Sequence, residues 1–223
     1  MRKGIIFDLD GTLWDVSKIM YKSFDNKFEE LGFTKPTYEK YKSLIGKTPK
    51  DFKDTFFPGI SEEEKEKYWR EILKDGDEYI SQYGGILYDG VEETLEELSK
   101  DYFLYIVSNC DVGYIENFIE YYDFYHLFDD HISHGSTGLS KGENIIKCVR
   151  DNNLDKAFYV GDTNLDYLSA KSAGLEFVYA SFGFGNVDSE VIELKEFSDL
   201  LDIAEEIFEN EDKKENIRNY SSN

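Results

Sequence analysis

Hydrophobic and polar positions follow two different patterns in two parts of the chain. Residues 3–8 (KGIIFD) form a short apolar run that stops at an acidic loop, which predicts a buried strand. Residues 15–84 instead repeat apolar side chains every three or four positions, which predicts amphipathic helices. From about residue 86 onward, short apolar runs alternate with helical patterns. Further strands are predicted at 102–107, 130–133, 157–160 and 176–180, and the last helix at 198–210.

Two amphipathic helices are predicted within residues 15–84. Gly32 ends the first, and the second begins at a capping box formed by Ser61 and Glu64. The predicted apolar positions are Met20, Phe24, Phe28 and Leu31 in the first helix and Tyr68, Ile72 and Tyr79 in the second. This segment is predicted as helices, whereas strands and helices alternate from about residue 86 onward.

The alternation of strands and helices is typical of an α/β fold with a doubly wound parallel sheet. The helical segment interrupts that alternation directly after the first strand. We therefore interpret it as an α-helical cap domain inserted over one edge of the sheet. The predicted division is a core of residues 1–14 and 85–210, a cap of residues 15–84 and a polar tail of residues 211–223.

Charge and cysteine content narrow the class of function. The 223 residues carry a formal net charge of -22, which repels phosphodiester backbones and anionic lipid, so we expect no binding to nucleic acid or membrane. Two cysteines without a CxxC pair exclude a disulfide scaffold and a cysteine-rich zinc site. The apolar run near the N-terminus is too short for a signal peptide. These features predict a cytoplasmic protein, and we expect it to be a monomer.

Polar residues follow several predicted strands and would gather at one edge of the sheet. Ligands of open α/β sheets bind at the carboxyl ends of the strands. The residues expected there are Asp8, Asp10, Ser108, Asn109, Lys141, Asp162 and Asp166. Clustered carboxylates without histidine or cysteine suit a hard cation such as Mg2+. That ion and a lysine would attract a phosphoryl group, which one aspartate could attack while another handles protons.

Four motifs in order carry a family resemblance. They are residues 5–12 (IIFDLDGT), residues 106–109 (IVSN), Lys141 in the segment GLSKGENI, and residues 161–166 (GDTNLD). On these motifs, residues 3 to about 205 resemble the haloacid dehalogenase-like (HAD) hydrolases, specifically the capped phosphatases similar to phosphoglycolate phosphatase. The resemblance implies a Rossmann-like α/β core with an inserted helical cap.

The resemblance also implies the catalytic roles. Asp8 would be the nucleophile and Asp10 the general acid and base, while Lys141 would neutralise charge on Asp8 and the phosphate. The implied magnesium ligands are Asp8, the backbone carbonyl of Asp10, Asp162 and Asp166, the last directly or through water. The second acid at Asp10 favours phosphoryl transfer over dehalogenation.

Substrate contacts are implied in the same way. Ser108 and the backbone amide of Asn109 would hold phosphoryl oxygens, and Gly11 and Thr12 would lie beside the substrate. In the cap turn 46–48 (GKT), Lys47 could meet an anionic leaving group, or it could be a solvated lysine at a helix start.

Two other segments are interpreted structurally. Trp14 is expected to pack at the hinge to the cap. Residues 181–185 (SFGFG) resemble an aromatic-glycine loop of the same family branch, and we interpret them as a feature of the fold.

The expected activity is magnesium-dependent hydrolysis of a small phosphorylated metabolite, with phosphoglycolate, sugar phosphates and nucleotide monophosphates all open. A phosphomutase similar to β-phosphoglucomutase would use the same residues. A family member kept as a binding protein is a further alternative. A receiver-type phospho-switch fits poorly, because its phosphorylated aspartate follows a later strand and it has no large helical insertion.

Overall fold

A parallel sheet of six strands forms the centre of the core. The computed structural model describes residues 1–221. The strands of this sheet are β1 (Lys3–Phe7), β4 (Phe103–Ser108), β5 (Phe128–Ser133), β6 (Lys156–Gly161), β7 (Glu176–Ala180) and β8 (Ile192–Leu194). Their order across the sheet is β5-β4-β1-β6-β7-β8. All five neighbouring pairs run parallel. The predicted α/β class with a doubly wound parallel sheet is confirmed.

Helices cover both faces of this sheet because its central strands are apolar on both sides. Ile5 and Phe7 pack into one cluster and Ile6 into another, as alternation along a strand requires. The first cluster contains side chains of α5 (Val91–Leu98), α6 (Tyr114–Tyr122) and α10 (Leu200–Ser221), and the second those of α8 (Lys141–Asp151) and α9 (Asn164–Ser172). A short helix, α7 (His134–Thr137), precedes α8.

The helical insertion contains more helices than the pattern predicts. They are α1 (Ser17–Glu30), α2 (Tyr38–Lys42), α3 (Pro49–Phe56) and α4 (Glu62–Tyr83). The two extra helices, α2 and α3, are short and depend on capping at Thr37 and Thr48. The two chain segments that lead into and out of the insertion are β2 (Trp14–Asp15) and β3 (Ile86–Leu87), and they pair with each other as antiparallel strands.

The buried face of α4 differs from the predicted one. The capping box at Ser61 is present, but the buried positions are Lys65, Trp69, Ile72, Gly76 and Ile80. The predicted positions Tyr68 and Tyr79 are only half-buried. The reason is that Gly76 admits Met20 of α1, whose Cε would lie 2.8 Å from a Cβ at that position. A close helix contact therefore sets which face of α4 turns inward.

Two C-terminal features were not predicted. The short strand β8 lies at the edge of the sheet beside β7. The last helix, α10, continues to Ser221 through most of the segment predicted as a polar tail, and residues 222–223 lie outside the described residues. Pairs such as Glu209 and Lys213, whose charged atoms are 3.0 Å apart at i,i+4 spacing, favour this extension. Over residues 1–221, none of the helices combines the length and apolarity that a membrane span requires.

One prediction concerns the helix that begins at Lys141. The Ser140 hydroxyl accepts a hydrogen bond from the Glu143 amide, and the Glu143 carboxylate accepts one from the Ser140 amide at 2.9 Å. We expect Ser140→Ala to lower the free energy of unfolding by about 1 kcal/mol, because it removes this cap. Urea denaturation measures the change. Ser140→Thr, which retains a capping hydroxyl, should lose much less, and equal losses for the two variants would contradict the prediction.

Candidate active site

The topology brings the predicted polar residues to one edge of the sheet. Because β1 lies between β4 and β6, Asp8 after β1, Ser108 at the end of β4 and Asp162 after β6 are neighbours in space. Lys141 and Asp166 enter the same region from the first turns of α8 and α9. All five side chains are buried.

A cluster of three carboxylates occupies this edge. Asp8, Asp162 and Asp166 each offer an oxygen, and these oxygens lie within 4.8 Å of one another. The Lys141 ammonium is 2.9 Å from Asp8 Oδ1 and 2.6 Å from Asp166 Oδ1. The second oxygen of Asp166 accepts hydrogen bonds from the amide and hydroxyl of Thr163, the N-cap of α9. The Asp166 carboxylate is therefore fully partnered inside the protein.

The charges and the unpartnered oxygens of this cluster fit a divalent cation. Three carboxylates and one ammonium leave two negative charges unbalanced in a site with almost no exposure to solvent. Among the described residues, neither Asp8 Oδ2 nor Asp162 Oδ1 has a hydrogen-bond partner. A buried polar atom without a partner is costly, and a metal ion held by Asp8 and Asp162 would remove that cost.

The environment shifts the protonation equilibria of these groups. Burial raises the pKa of Asp8 to about 6, with Lys141 opposing the shift and Asp166 adding to it. Burial, together with the charges of Asp166 and Asp8, raises the pKa of Asp162 well above its usual range. Although burial acts in the opposite direction, Asp166 and Asp8 raise the pKa of Lys141. The ammonium therefore stays charged, and either a proton or a further cation would stabilise the carboxylate cluster.

The loop at residues 181–185 holds Asp162 in place, a role the sequence did not indicate. The backbone amides of Phe184 and Gly185 donate to Asp162 Oδ2 at 2.7 and 3.3 Å. A Cβ at Gly183 would lie 2.3 Å from Asp162 Cβ, and one at Gly11 would lie 2.3 Å from Asp162 Oδ2. Glycine at these two positions therefore lets two backbone segments approach the carboxylate closely.

Asp10 lies apart from the carboxylate cluster and has its own hydrogen-bond donors. Its Oδ1 accepts from the Trp14 indole at 2.8 Å and from the Tyr114 hydroxyl at 2.9 Å. Burial and the charge of Asp8 raise the pKa of Asp10 to about 7, against the effect of both donors. Trp14 does pack at the hinge, with its ring 4.9 Å from that of Phe118. The sequence does not predict the hydrogen bonds from Trp14 and Tyr114 to Asp10. Tyr114 lies on α6, which approaches the loop of Asp10 only in the folded chain.

The predicted phosphate-binding residues of the core include three buried side chains, one of which contacts the cap. Ser108 and Asn109 are buried, and the Asn109 side-chain amide donates to the Gly46 carbonyl of the cap at 2.9 Å. Thr12 is also buried, and no partner within the described residues bonds its hydroxyl oxygen. The Lys47 side chain is exposed. The cap turn therefore contacts the site through its backbone at Gly46.

A cavity of about 70 Å³ separates the core from the cap. On the core side it is bounded by Asp10, Ser108, Asn109, Asp111 and Tyr114, and on the cap side by Tyr41, Lys47, Phe52 and Trp69, among others. The Trp69 indole donates to Asp111 Oδ2 at 2.8 Å, which joins α4 to the loop after β4. Aromatic rings thus form much of the cap side, and the sequence pattern did not indicate which of them would face the site.

Comparison with known proteins agrees with this geometry. The chain is 28% identical over 213 residues to the phosphoglycolate phosphatase of Aquifex aeolicus, covering 90% of the chain and 96% of that protein. It is 26% identical over 200 residues to the phosphoglycolate phosphatase of Aliivibrio fischeri, covering 82% of the chain and 86% of that protein. The solved haloacid dehalogenase-like hydrolase SP0104 of Streptococcus pneumoniae is 25% identical, with a TM-score of 0.70 over 87% of this chain and 94% of that one.

The predicted family resemblance is confirmed over most of the chain. The family model described as haloacid dehalogenase-like hydrolase matches residues 5–180, which include all four motifs. The chain belongs to the haloacid dehalogenase-like hydrolases.

Proposed function

We propose that this hydrolase is a magnesium-dependent phosphatase that cleaves a small phosphomonoester through an aspartyl-phosphate on Asp8. The observation that carries the proposal is the position of Asp8. Its carboxylate lies between a buried lysine and two further buried carboxylates, and its Oδ2 has no hydrogen-bond partner among the described residues. Relatives named phosphoglycolate phosphatase support phosphomonoester hydrolysis as the reaction.

In the first half of the reaction, a carboxylate oxygen of Asp8 forms a bond to phosphorus while the bond from phosphorus to the ester oxygen breaks. Asp10 donates its proton to the departing oxygen, so the alcohol leaves uncharged. The Tyr114 hydroxyl and the Trp14 indole keep the Asp10 carboxyl directed at the cavity by binding Oδ1. Ser108 and the amide of Asn109 bind the phosphoryl oxygens, and Lys141 offsets charge at Asp8.

In the second half, Asp10 takes a proton from water, whose oxygen attacks the phosphorus of the aspartyl-phosphate. The bond between phosphorus and the Asp8 oxygen breaks, which releases phosphate and restores both carboxyl groups. Asp8 and Asp162, with Asp166 beside them, would hold Mg2+, which when bound neutralises phosphoryl charge. The Asn109 contact to Gly46 keeps the cap over the site and limits access of bulk water.

The nucleophile is tested by Asp8→Asn. We expect this variant to lose more than about a thousandfold of the phosphate release from a panel of small phosphomonoesters, because the amide cannot attack phosphorus. EDTA should abolish wild-type release and added Mg2+ should restore it. Asp101→Asn removes an exposed carboxylate just before β4, at the opposite end of the strand, and should keep wild-type activity. Turnover that persists in Asp8→Asn would contradict the mechanism, and isomerised sugar phosphate without free phosphate would indicate a phosphomutase.

The metal site is tested without any substrate. In metal-free protein, the raised pKa of Asp162 costs stability at neutral pH, because folding must either bury its charge or take up a proton. Asp162→Asn removes that cost, so we expect it to raise the free energy of unfolding by about 1 kcal/mol. Mg2+ at a hundred times its dissociation constant should stabilise the wild type by about 2.7 kcal/mol and the variant by much less. Thermal unfolding with and without Mg2+ measures both effects. Equal stabilisation of the two proteins would place the ion elsewhere.

A further inference from the structure

We propose that the cavity under the cap selects an uncharged leaving group with a ring or apolar face and rejects one that carries a carboxylate. The inference rests on the phosphatase function proposed above and specifies its substrate class. The carboxylate of glycolate, which appears in the names of two relatives, is the feature that this cavity would disfavour. Three properties of the described residues lead to this conclusion.

The first property is the charge of the cavity wall. Of the described residues that line the cavity, Asp10 and Asp111 carry carboxylates and Lys47 alone carries a cation. The Lys47 side chain is exposed, so water screens its charge. Asp10 holds a proton when it serves the departing oxygen, so the negative charge that faces the leaving group is that of Asp111, opposed by one exposed lysine. A carboxylate on the leaving group would be repelled by the charge of Asp111. Unbalanced like charges at a binding site act strongly against the wrong partner.

The second property is the fixed position of Asp111. Its Oδ2 accepts a hydrogen bond from the buried Trp69 indole at 2.8 Å, which holds the carboxylate at the junction of core and cap. Within the described part of the chain, no lysine or arginine forms an ion pair with Asp111. Its negative charge is therefore not cancelled locally. A hydroxyl of a neutral leaving group could donate to this carboxylate, whereas a second carboxylate could not.

The third property is a continuous aromatic wall. The rings of Tyr41 and Phe52 have centroids 6.1 Å apart, and those of Phe52 and Trp69 are 5.6 Å apart. Tyr41 and Trp69 are only 4% and 6% exposed, so neighbouring residues fix their rings. Aromatic faces gain contact energy from a ring or other apolar surface and gain nothing from a hydrated carboxylate. The aromatic wall thus favours an uncharged leaving group with a ring or apolar face, and the charge of Asp111 does not repel such a group.

Three esters separate these effects. 2-Hydroxyethyl phosphate and 2-phosphoglycolate are similar in size and differ at the distal carbon, which carries an alcohol in one and a carboxylate in the other. Benzyl phosphate adds a ring to an alcohol leaving group. With Mg2+ present, we expect kcat/KM for 2-hydroxyethyl phosphate to exceed that for 2-phosphoglycolate by about tenfold, and benzyl phosphate to exceed 2-hydroxyethyl phosphate by about tenfold. Equal or faster turnover of 2-phosphoglycolate would overturn the proposal.

Two variants test which residues cause the preference for an uncharged, ring-bearing leaving group. Asp111→Asn keeps an oxygen for the Trp69 indole but removes the charge, so it should reduce the discrimination against 2-phosphoglycolate by about fivefold. Phe52→Leu shortens the aromatic wall at a half-buried position and should lower the ratio of benzyl to 2-hydroxyethyl turnover by about fivefold. Asp101→Asn changes the net charge equally and should leave every ratio unchanged. Unaltered ratios in both cavity variants would show that other groups set the preference.

Binding to Asp8→Asn separates this proposal from the phosphatase proposal. Calorimetric titration of that variant, in Mg2+, with the same three esters gives dissociation constants that do not depend on turnover. If the wild type releases no phosphate from any ester, the phosphatase proposal fails, while tighter binding of benzyl and 2-hydroxyethyl phosphate than of 2-phosphoglycolate would still support the leaving-group preference. Tightest binding of 2-phosphoglycolate, or no binding of any ester, would overturn that preference.

Discussion

The shared ammonium of Lys141 is the interaction on which the active site depends. It lies within 3 Å of both Asp8 and Asp166, and all three groups are buried. Without this cation, three carboxylates would meet at the centre of the sheet edge with nothing to offset their repulsion. With it, the site keeps two unbalanced negative charges, which is the charge that one divalent ion supplies. The lysine thus reduces the repulsion among the carboxylates in the folded chain and leaves the cluster with the charge to bind a metal.

Several local structures serve to keep that arrangement rigid. The capping box at Ser140 starts α8 at Lys141, and the one at Thr163 starts α9 while binding Asp166. The amides of Phe184 and Gly185 fix Asp162. Each of these structures supplies hydrogen-bond partners to backbone or carboxylate groups that would otherwise lack them, so the same hydrogen bonds contribute to stability and to the placement of the carboxylates.

The sequence indicated those parts of the site that depend on one strand end each. Asp8, Ser108 and Asp162 follow apolar strands, and the parallel topology alone brings such ends together. It did not indicate Tyr114 or Trp69, because their contacts to Asp10 and Asp111 join segments that are far apart along the chain. The inward face of α4 was mispredicted for a related reason. Aromatic residues are frequent throughout the cap, and only helix packing decides which of them turn towards the cavity.

The core and the cap contribute different kinds of groups to the site. The core contributes the charged groups, which must be arranged in nearly one way to stabilise a phosphoryl group, and most of them lie within motifs that the family model covers. The cap contributes mainly aromatic side chains and the backbone of Gly46, and its charged residue at the cavity, Lys47, is exposed. On the proposed function, we expect substitutions in the cap to change the preferred leaving group without disturbing Lys141 and its carboxylates. Relatives that share the core chemistry therefore need not share a substrate.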